Sequence, residues 1–247
     1  MTDSDIRPDL PLDRVDGVIS RYREDDWQFR GTPADYRVVH HLERYWFARD
    51  YLKKEYSDAS RSPSVLQDPH PTLLDAGCGT ALGLRELYKS SLPVRRWEGV
   101  ELEPDIAADV QRQCPSVCIH NGNIETFQSP HQSGPFDILI CFEVLGFETI
   151  SSDAHLLAAI DRLCKSQGTL FLSTPNYRSH PKNRHLKRTY DRAAFTELLQ
   201  THLSGYEVDL YGQLYPTNRT GPADVGVRRP EHLSAETDFF IAVATAS

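Results

Sequence analysis

The sequence predicts an α/β fold in which an open, mostly parallel sheet carries helices on both faces and closes on an antiparallel strand at the C-terminus. Three observations carry this. From residue 72 onward, strand-like and helix-like patterns alternate, as they do in a parallel sheet built from crossover units. The first strand, Leu73-Leu74-Asp75, runs directly into a glycine turn, Gly77-Cys78-Gly79, and then into a helical pattern. The last two strand-like segments, 206–211 and 238–245, have no helix between them, so as neighbours they pair antiparallel.

Taken in order, residues 1 to 25 carry prolines and aspartates without hydrophobic periodicity and read as a loose arm. Apolar residues at 38, 39, 42, 45, 46 and 52 mark a helix over 36–52, and the stretch 57–71, rich in Ser, Asp and Pro, reads as a surface linker. Strand one covers 72–75 and its helix 82–90; strand two covers 97–101 and its helix 104–113; a short third strand spans 117–120. Strand four is 136–142, followed by a helix over 152–165 and strand five over 169–173, with Gly168 as the helix stop. A helix over 191–202 precedes the two closing strands, and 213–236 between them reads as a long loop of the kind that is functional or mobile. The organisation is thus an N-terminal arm and cap helix, 1–71, and one cofactor-binding domain, 72–247.

A chain of 247 residues is long enough for one α/β core with decorations. Its formal net charge of −8 argues against general binding to nucleic acid or a membrane surface, both of which need a basic field. No apolar run has the length of a membrane span, and the polar, acidic start Met1-Thr2-Asp3-Ser4-Asp5 is unlike a signal peptide, so a cytoplasmic location is expected. Cys78, Cys114, Cys118, Cys141 and Cys164 are odd in number and mostly lie inside apolar patterns, which favours buried thiols over disulfides. Cys114 and Cys118 have no second pair to complete a metal site, and no metal is expected.

The glycine turn is the feature that speaks of a ligand. Gly77 and Gly79 lack the Cβ atoms that keep a ligand away from the backbone, and the following helix points its N-terminal N–H groups at the same place. Dinucleotide folds open in the same way but with the spacing G-x-G-x-x-G, whereas Gly77, Gly79 and Gly83 give G-x-G-x-x-x-G. Asp75 sits two residues before Gly77, where a carboxylate repels phosphates and suits a cation. The sulfonium and ammonium groups of S-adenosylmethionine meet that preference. Here the chain resembles the class I S-adenosylmethionine-dependent methyltransferases, whose first motif reads acid-x-Gly-x-Gly-x-Gly, with Ala81 standing in place of the third glycine. The closing antiparallel strand agrees with the Rossmann-like sheet of that family.

Glu101 ends strand two, about twenty residues past the turn, where a carboxylate accepts both ribose hydroxyls in nucleotide folds; the plain alternative is a solvated glutamate. Cys78 lies within the loop and Leu102 follows Glu101. The resemblance puts Gly-Asp-Ala-Glu after strand three, with contacts to adenine; this chain has Gly122-Asn123-Ile124-Glu125, so Asn123 and Ile124 take those places, against a reading of Asn-Gly-Asn as turn chemistry. Phe142 and Glu143 end the central strand four and face the ligand crevice of an open sheet. Related small-molecule and sugar O-methyltransferases continue Glu-Val-Ile-Glu-His from here; the matching pair is Gly146-Phe147, which removes the usual base.

The resemblance is to methyltransferase-11/23-like bacterial enzymes and extends over residues 41 to 244, including His41-Leu42-Glu43-Arg44-Tyr45-Trp46-Phe47-Ala48 ahead of strand one and Ser173-Thr174-Pro175-Asn176 after strand five. By it, Arg44 and Tyr45 cover the carboxylate of the cofactor's methionine; helix packing is the plain reading of both. Residues 178–192 hold six Lys or Arg residues with His180 and His185 at the edge where substrate enters, which points to an anionic small molecule such as a phosphate or a carboxylate, or else to a solvated loop. For a hydroxyl acceptor the proton falls to His185 first and to Glu143 next. The leading expectation is therefore S-adenosylmethionine-dependent methyl transfer to a small molecule. The rivals are a cofactor-binding but silent relative, suggested by Ala81, Asn123 and Phe147, and a nicotinamide oxidoreductase.

Overall fold

The computed structural model describes residues 36–57, 70–130, 135–176, 185–214, 227–228 and 237–246. The expected N-terminal arm, most of the linker, His180 and most of the loop 213–236 lie outside them. Five helices are described: α1 (Tyr36–Ser57), α2 (Leu82–Tyr88), α3 (Pro104–Gln113), α4 (Asp153–Leu163) and α5 (Arg192–His202). The strands are β1 (Thr72–Ala76), β2 (Arg96–Glu101), β3 (Cys118–Asn121), β4 (Phe136–Phe142), β5 (Cys164–Pro175), β6 (Tyr206–Leu214), β7 (Val227–Arg228) and β8 (Thr237–Ala246).

All eight strands form one sheet in the order β3-β2-β1-β4-β5-β8-β6-β7. The strands from β3 to β5 run parallel, while β8 lies antiparallel to both β5 and β6. The strand order reverses between β1 and β4, and the crevice outside the carboxyl ends of those two strands is where an open α/β sheet takes its ligand.

Burial on both faces follows the two-residue period of the strands. Ile138, Ile140 and Phe142 of β4 pack with Tyr45, Leu52, Leu84 and Val110 on the α1–α3 side. Leu139 and Cys141 pack with Leu156, Ile160, Phe195 and Leu199 on the α4–α5 side. Caps define the helix starts: Ser152 Oγ accepts from His155 N at 3.1 Å and Asp191 Oδ1 from Ala194 N at 2.8 Å.

Most boundaries differ from the sequence reading by a residue or two, and four differences are larger or of another kind. Helix α1 continues to Ser57, into the expected linker, and β6 continues to Leu214. The two-residue strand β7 pairs with Gly212 and Gln213. Gly168 does not stop α4, which ends at Leu163; Cys164 already pairs with Phe136, and the chain bulges before pairing resumes between Thr169 and Ile138. A Cβ on Gly168 would lie 2.4 Å from Cys164 Sγ and 2.9 Å from the Asp137 carbonyl oxygen, so glycine is what the bulge requires. No helix among the described residues is long and apolar enough to cross a membrane.

Candidate functional site

Strand β1 ends at Ala76 and the chain turns through three left-handed residues, Gly77 (φ +79°), Gly79 (φ +54°) and Ala81 (φ +53°). The turn is pinned to β2, because Gly77 N and Cys78 N both donate to the Val100 carbonyl, at 2.9 and 3.0 Å. The glycines serve different ends. A Cβ on Gly77 would meet Val144 Cγ2 at 2.5 Å, whereas one on Gly79 would meet nothing within 4 Å, so the loop is open there. Gly83 belongs to a separate contact: its Cβ would lie 2.2 Å from the ring of Tyr45, and glycine is what lets α1 seat that ring against α2. Because α2 has only seven residues, the loop's own N–H groups, more than a helix dipole, define its polarity.

Two buried carboxylates flank the turn. Asp75 is fully buried and accepts from Tyr45 Oη, at 3.1 Å to Oδ2 and 3.3 Å to Oδ1. Burial pushes its carboxyl up to about 7, opposed by the Tyr45 bond and reinforced by the charge of Glu101. Glu101 Oε2 accepts from Gly79 N and Oε1 from Glu103 N, both at 2.9 Å. Burial raises its pKa while those two bonds hold it down. Its carboxylate thus lies directly behind the open face of Gly79.

Around this centre, Cys78 is buried, its thiol pushed up by burial and by Asp75, and it lies against Gly99, where a Cβ would meet its sulfur at 2.7 Å. Leu102 is 40% exposed and Ile124 is buried. Asn123 Oδ1 accepts from Glu125 N at 2.9 Å, which is the turn chemistry of the plain reading, and its amide oxygen keeps a second lone pair. Asn121 Nδ2 donates to the carbonyls of Glu101 and Leu102, tying the loops after β3 and β2 together.

The carboxyl end of β4 is organised by α1. Glu143 has φ +61°, a left-handed conformation for a non-glycine residue, held by its N–H donating to Ser173 O and Oγ at 3.2 and 3.1 Å. Its Oε1 accepts from Arg44 Nη2 and lies 3.0 Å from His41 Nδ1. Arg44 is 1% exposed; it donates to Gln213 Oε1 at 2.8 Å, and its guanidinium carbon sits 4.3 Å from the centre of the Phe239 ring. Burial brings it down to about 10. Gln213 Nε2 completes the chain by donating to Glu43 Oε2 at 2.8 Å. Phe142 meets Tyr45 edge to face at 5.0 Å. Arg44 and Tyr45 are thus both engaged inside the protein, with Glu143 and with Asp75.

Sequence reasoning gave no role of their own to His41, Glu43 and Gln213. His41 and Arg44 are three apart on α1, so a shared face was available as a signal; Gln213 fell at the expected loop's first position and carried none.

The segment 185–190 straps across the loop after β4. Gly146 (φ +81°) accepts from Lys187 N and Arg188 N, and a Cβ there would lie 2.2 Å from the Arg188 carbonyl oxygen. Buried Asp153 collects Gly146 N, the Arg188 guanidinium and the Tyr190 hydroxyl. Lys187 Nζ donates to the Glu148 carbonyl. The His185 ring stacks on Phe147 at 6.4 Å, with its Nδ1 2.8 Å from Glu148 Oε1. Of the cations in 178–192, Lys187 and Arg188 therefore anchor the strap, while Arg178, Lys182 and Arg184 lie outside the described residues. Among the described residues no group of three or more His, Cys, Asp or Glu is placed to hold a metal ion.

The profile of a methyltransferase-domain family matches residues 38–210. Among curated proteins, the chain is 28% identical over 145 residues to a ubiquinone biosynthesis O-methyltransferase of Methylococcus capsulatus, covering 55% of this chain and 58% of that protein. It is 34% identical over 137 residues to a dTDP-3-amino-3,6-dideoxy-alpha-D-glucopyranose N,N-dimethyltransferase of Streptomyces fradiae, covering 53% and 50%. The chain thus spans about half the length of the curated relatives it matches. Among solved structures, magnesium protoporphyrin IX methyltransferase from Synechocystis, with bound S-adenosylmethionine, superposes with a TM-score of 0.59 at 15% identity over 93% of this chain and 91% of that one. A possible histamine N-methyltransferase from Thermotoga maritima superposes with a TM-score of 0.58 at 16% identity over 94% and 99%. The chain belongs to the methyltransferase-domain family, and its fold is that of the class I S-adenosylmethionine-dependent enzymes.

Proposed function

We propose that the crevice over β1, β2 and β4 holds S-adenosylmethionine and that the protein transfers its methyl group to an oxygen or nitrogen of a small molecule. The observation that carries this is the buried Glu101 carboxylate, bound to Gly79 N–H behind a loop face where no atom lies within 4 Å of a would-be Cβ. The residues fit the cofactor. Glu101 would accept hydrogen bonds from the ribose hydroxyls, and exposed Leu102, Asn123 and Ile124 would serve the adenine. Asp75 would supply negative charge for the cationic methionine end, with Gly77, Cys78, Gly79 and Phe142, while Arg44 ties helix α1 to Glu143 and Tyr45 holds Asp75.

When bound, the cofactor supplies a methyl group on a cationic sulfur, a leaving group that needs no further activation. What the chain contributes is positioning of the acceptor and removal of its proton. A hydroxyl or ammonium acceptor, as the names of the two curated relatives suggest, has such a proton to lose. His185 on its strap and Glu143 at the end of β4 are the sequence-derived recipients. Lys187 and Arg188 are engaged by the strap, so an anionic acceptor would draw on other cations of 178–192.

Calorimetric titration with S-adenosylhomocysteine tests this reading. The wild type binds, and Glu101→Gln, which withdraws charge from the hydroxyl contacts, weakens binding about 10–100-fold. A wild type that ignores S-adenosylhomocysteine but is thermally stabilised by NAD(P) would sink it. Binding without any turnover of S-adenosylmethionine by a metabolite pool would favour the silent rival instead.

A further inference from the structure

Strand β3 is the outermost strand on one side of the sheet, and an outermost strand offers a row of backbone N–H and C=O groups on which another chain can pair. The pairing with β2 says which groups those are. Gly122 N donates to the Glu101 carbonyl at 2.9 Å. By the two-residue alternation of a strand, residues 118 and 120 therefore turn their backbone groups toward β2, while 117, 119 and 121 turn theirs outward. One side chain takes two of the outward groups. Gln111 Nε2 donates to the Val117 carbonyl at 3.0 Å, and Gln111 Oε1 accepts from Ile119 N at 2.8 Å. The carbonyl before Cys118 and the N–H after it are the pair that a residue of a further parallel strand would bond.

The local sequence makes this reach possible. Val110 is buried, and α3 ends at Gln113, two residues beyond Gln111. The chain returns at once through a turn in which Val117 N donates to the Cys114 carbonyl at 3.1 Å, so β3 starts beside the last turn of α3. Around the amide the surface is open: Gln111, Pro115, Val117 and Cys118 line a groove that continues to Tyr88 and Trp97.

We propose that Gln111 is a plug that keeps β3 from pairing with the β3 of a second copy of this chain. Its amide gives the edge the donor and the acceptor that a neighbouring strand would supply, so a second chain gains little by displacing it. Without the plug, two copies related by a twofold axis at Ile119 can exchange N–H···O bonds in both directions, because both backbone groups of Ile119 face outward. The half-exposed Tyr88 lies at the same margin and adds apolar surface for such a pair to bury. Strand β3 also leads through Asn121 and Gly122 into Asn123 and Ile124, so the plug keeps a second chain away from the loop that follows the strand.

Gln111→Met in the full chain tests this, since Met keeps the helix propensity and the length of the side chain and removes only the amide. Amide exchange followed by NMR reads the edge directly. In dilute solution the Ile119 N–H of the variant exchanges about 3–10-fold faster than that of the wild type, as the loss of one hydrogen bond requires. When both proteins are concentrated equally, sedimentation equilibrium shows the variant, and not the wild type, passing from monomer to dimer, and the Ile119 N–H slows again as the dimer accumulates. An Ile119 N–H that exchanges within about twofold of the wild type overturns the plug. A variant that associates no more than the wild type overturns it as well, and so does a dimer that forms while Ile119 still exchanges fast, because it uses another surface. Neither measurement involves the cofactor, so failure here leaves the methyltransferase reading untouched.

Discussion

The two ends of the ligand crevice are built on different principles. Over β1 and β2 the site is mostly backbone: Gly77 and Cys78 hang on the Val100 carbonyl, and Gly79 N–H binds Glu101, 22 positions away. Over β4 it is a side-chain network in which Arg44 reaches Glu143 and Gln213, 99 and 169 positions away. The first end depends on φ angles and one or two carboxylates. The second depends on several side chains that share their hydrogen bonds, so that losing one member weakens the rest.

Arg44→Met breaks the comparison where it is strongest. The substitution removes the bond that Arg44 donates to the fully buried Gln213 amide, removes the cation from Glu143 and takes the guanidinium off Phe239. Removing one member of a buried ionic network costs roughly 3–5 kcal/mol, and the quarter-exposed Glu143 places this case toward the lower figure. Urea unfolding measures it. A loss below about 1 kcal/mol would mean that apolar packing, and not the network, holds α1 down.

The same contrast explains what was legible in the sequence. The strand order and the glycine turn follow from local patterns, in which a strand, a turn and a helix each announce themselves within a few residues. Glu101 was legible because its distance from the turn is set by one crossover. Arg44 and Tyr45 could be named from resemblance but not their partners, since nothing local says that Tyr45 will bond Asp75 or that Arg44 will meet Gln213. Gly83 looked like the third glycine of a ligand loop because spacing alone does not tell a cofactor contact from a helix contact; only the Tyr45 ring does. Gly168 misled in the same way, being required by a bulge inside β5 and not by a helix end.

Asp75→Asn sharpens the comparison by probing the carboxylate that joins the two ends through Tyr45. In the fold its carboxyl is held at about 7, against an ordinary 3.8. Between those values the folded protein therefore binds a proton that the unfolded chain has released. The stabilising contribution is fully present below about pH 4 and is lost as pH rises through 7, so the wild type loses ground to Asp75→Asn across that window, by at most roughly 1.4 kcal/mol per pH unit. Denaturation midpoints of both proteins at pH 5, 6 and 7 check the sign. A cation beside Asp75 favours the ionised form, so S-adenosylmethionine binding at about pH 6.5 releases protons in the wild type and not in Asp75→Asn, measured by calorimetry in buffers of different ionisation enthalpy.

Ala81→Gly has the smallest expected effect and isolates the backbone side of the comparison. Ala81 opens α2 in the left-handed region at φ +53°, its side chain is fully buried, and its N–H donates to the Cys78 carbonyl at 2.8 Å. An L residue there is strained by roughly 1–2 kcal/mol, while glycine gives back part of that through the greater freedom of its unfolded chain. The balance is a stabilisation of about 0.5–1 kcal/mol, read as a higher urea midpoint at unchanged slope. S-adenosylhomocysteine affinity should stay within about twofold, because the turn is already fixed by the bonds of Gly77, Cys78 and Gly79 and does not need the third glycine to take its shape. A marked tightening would instead mean that strain at Ala81 is transmitted to Gly79, and that the backbone end of the crevice is as interdependent as the network at the other.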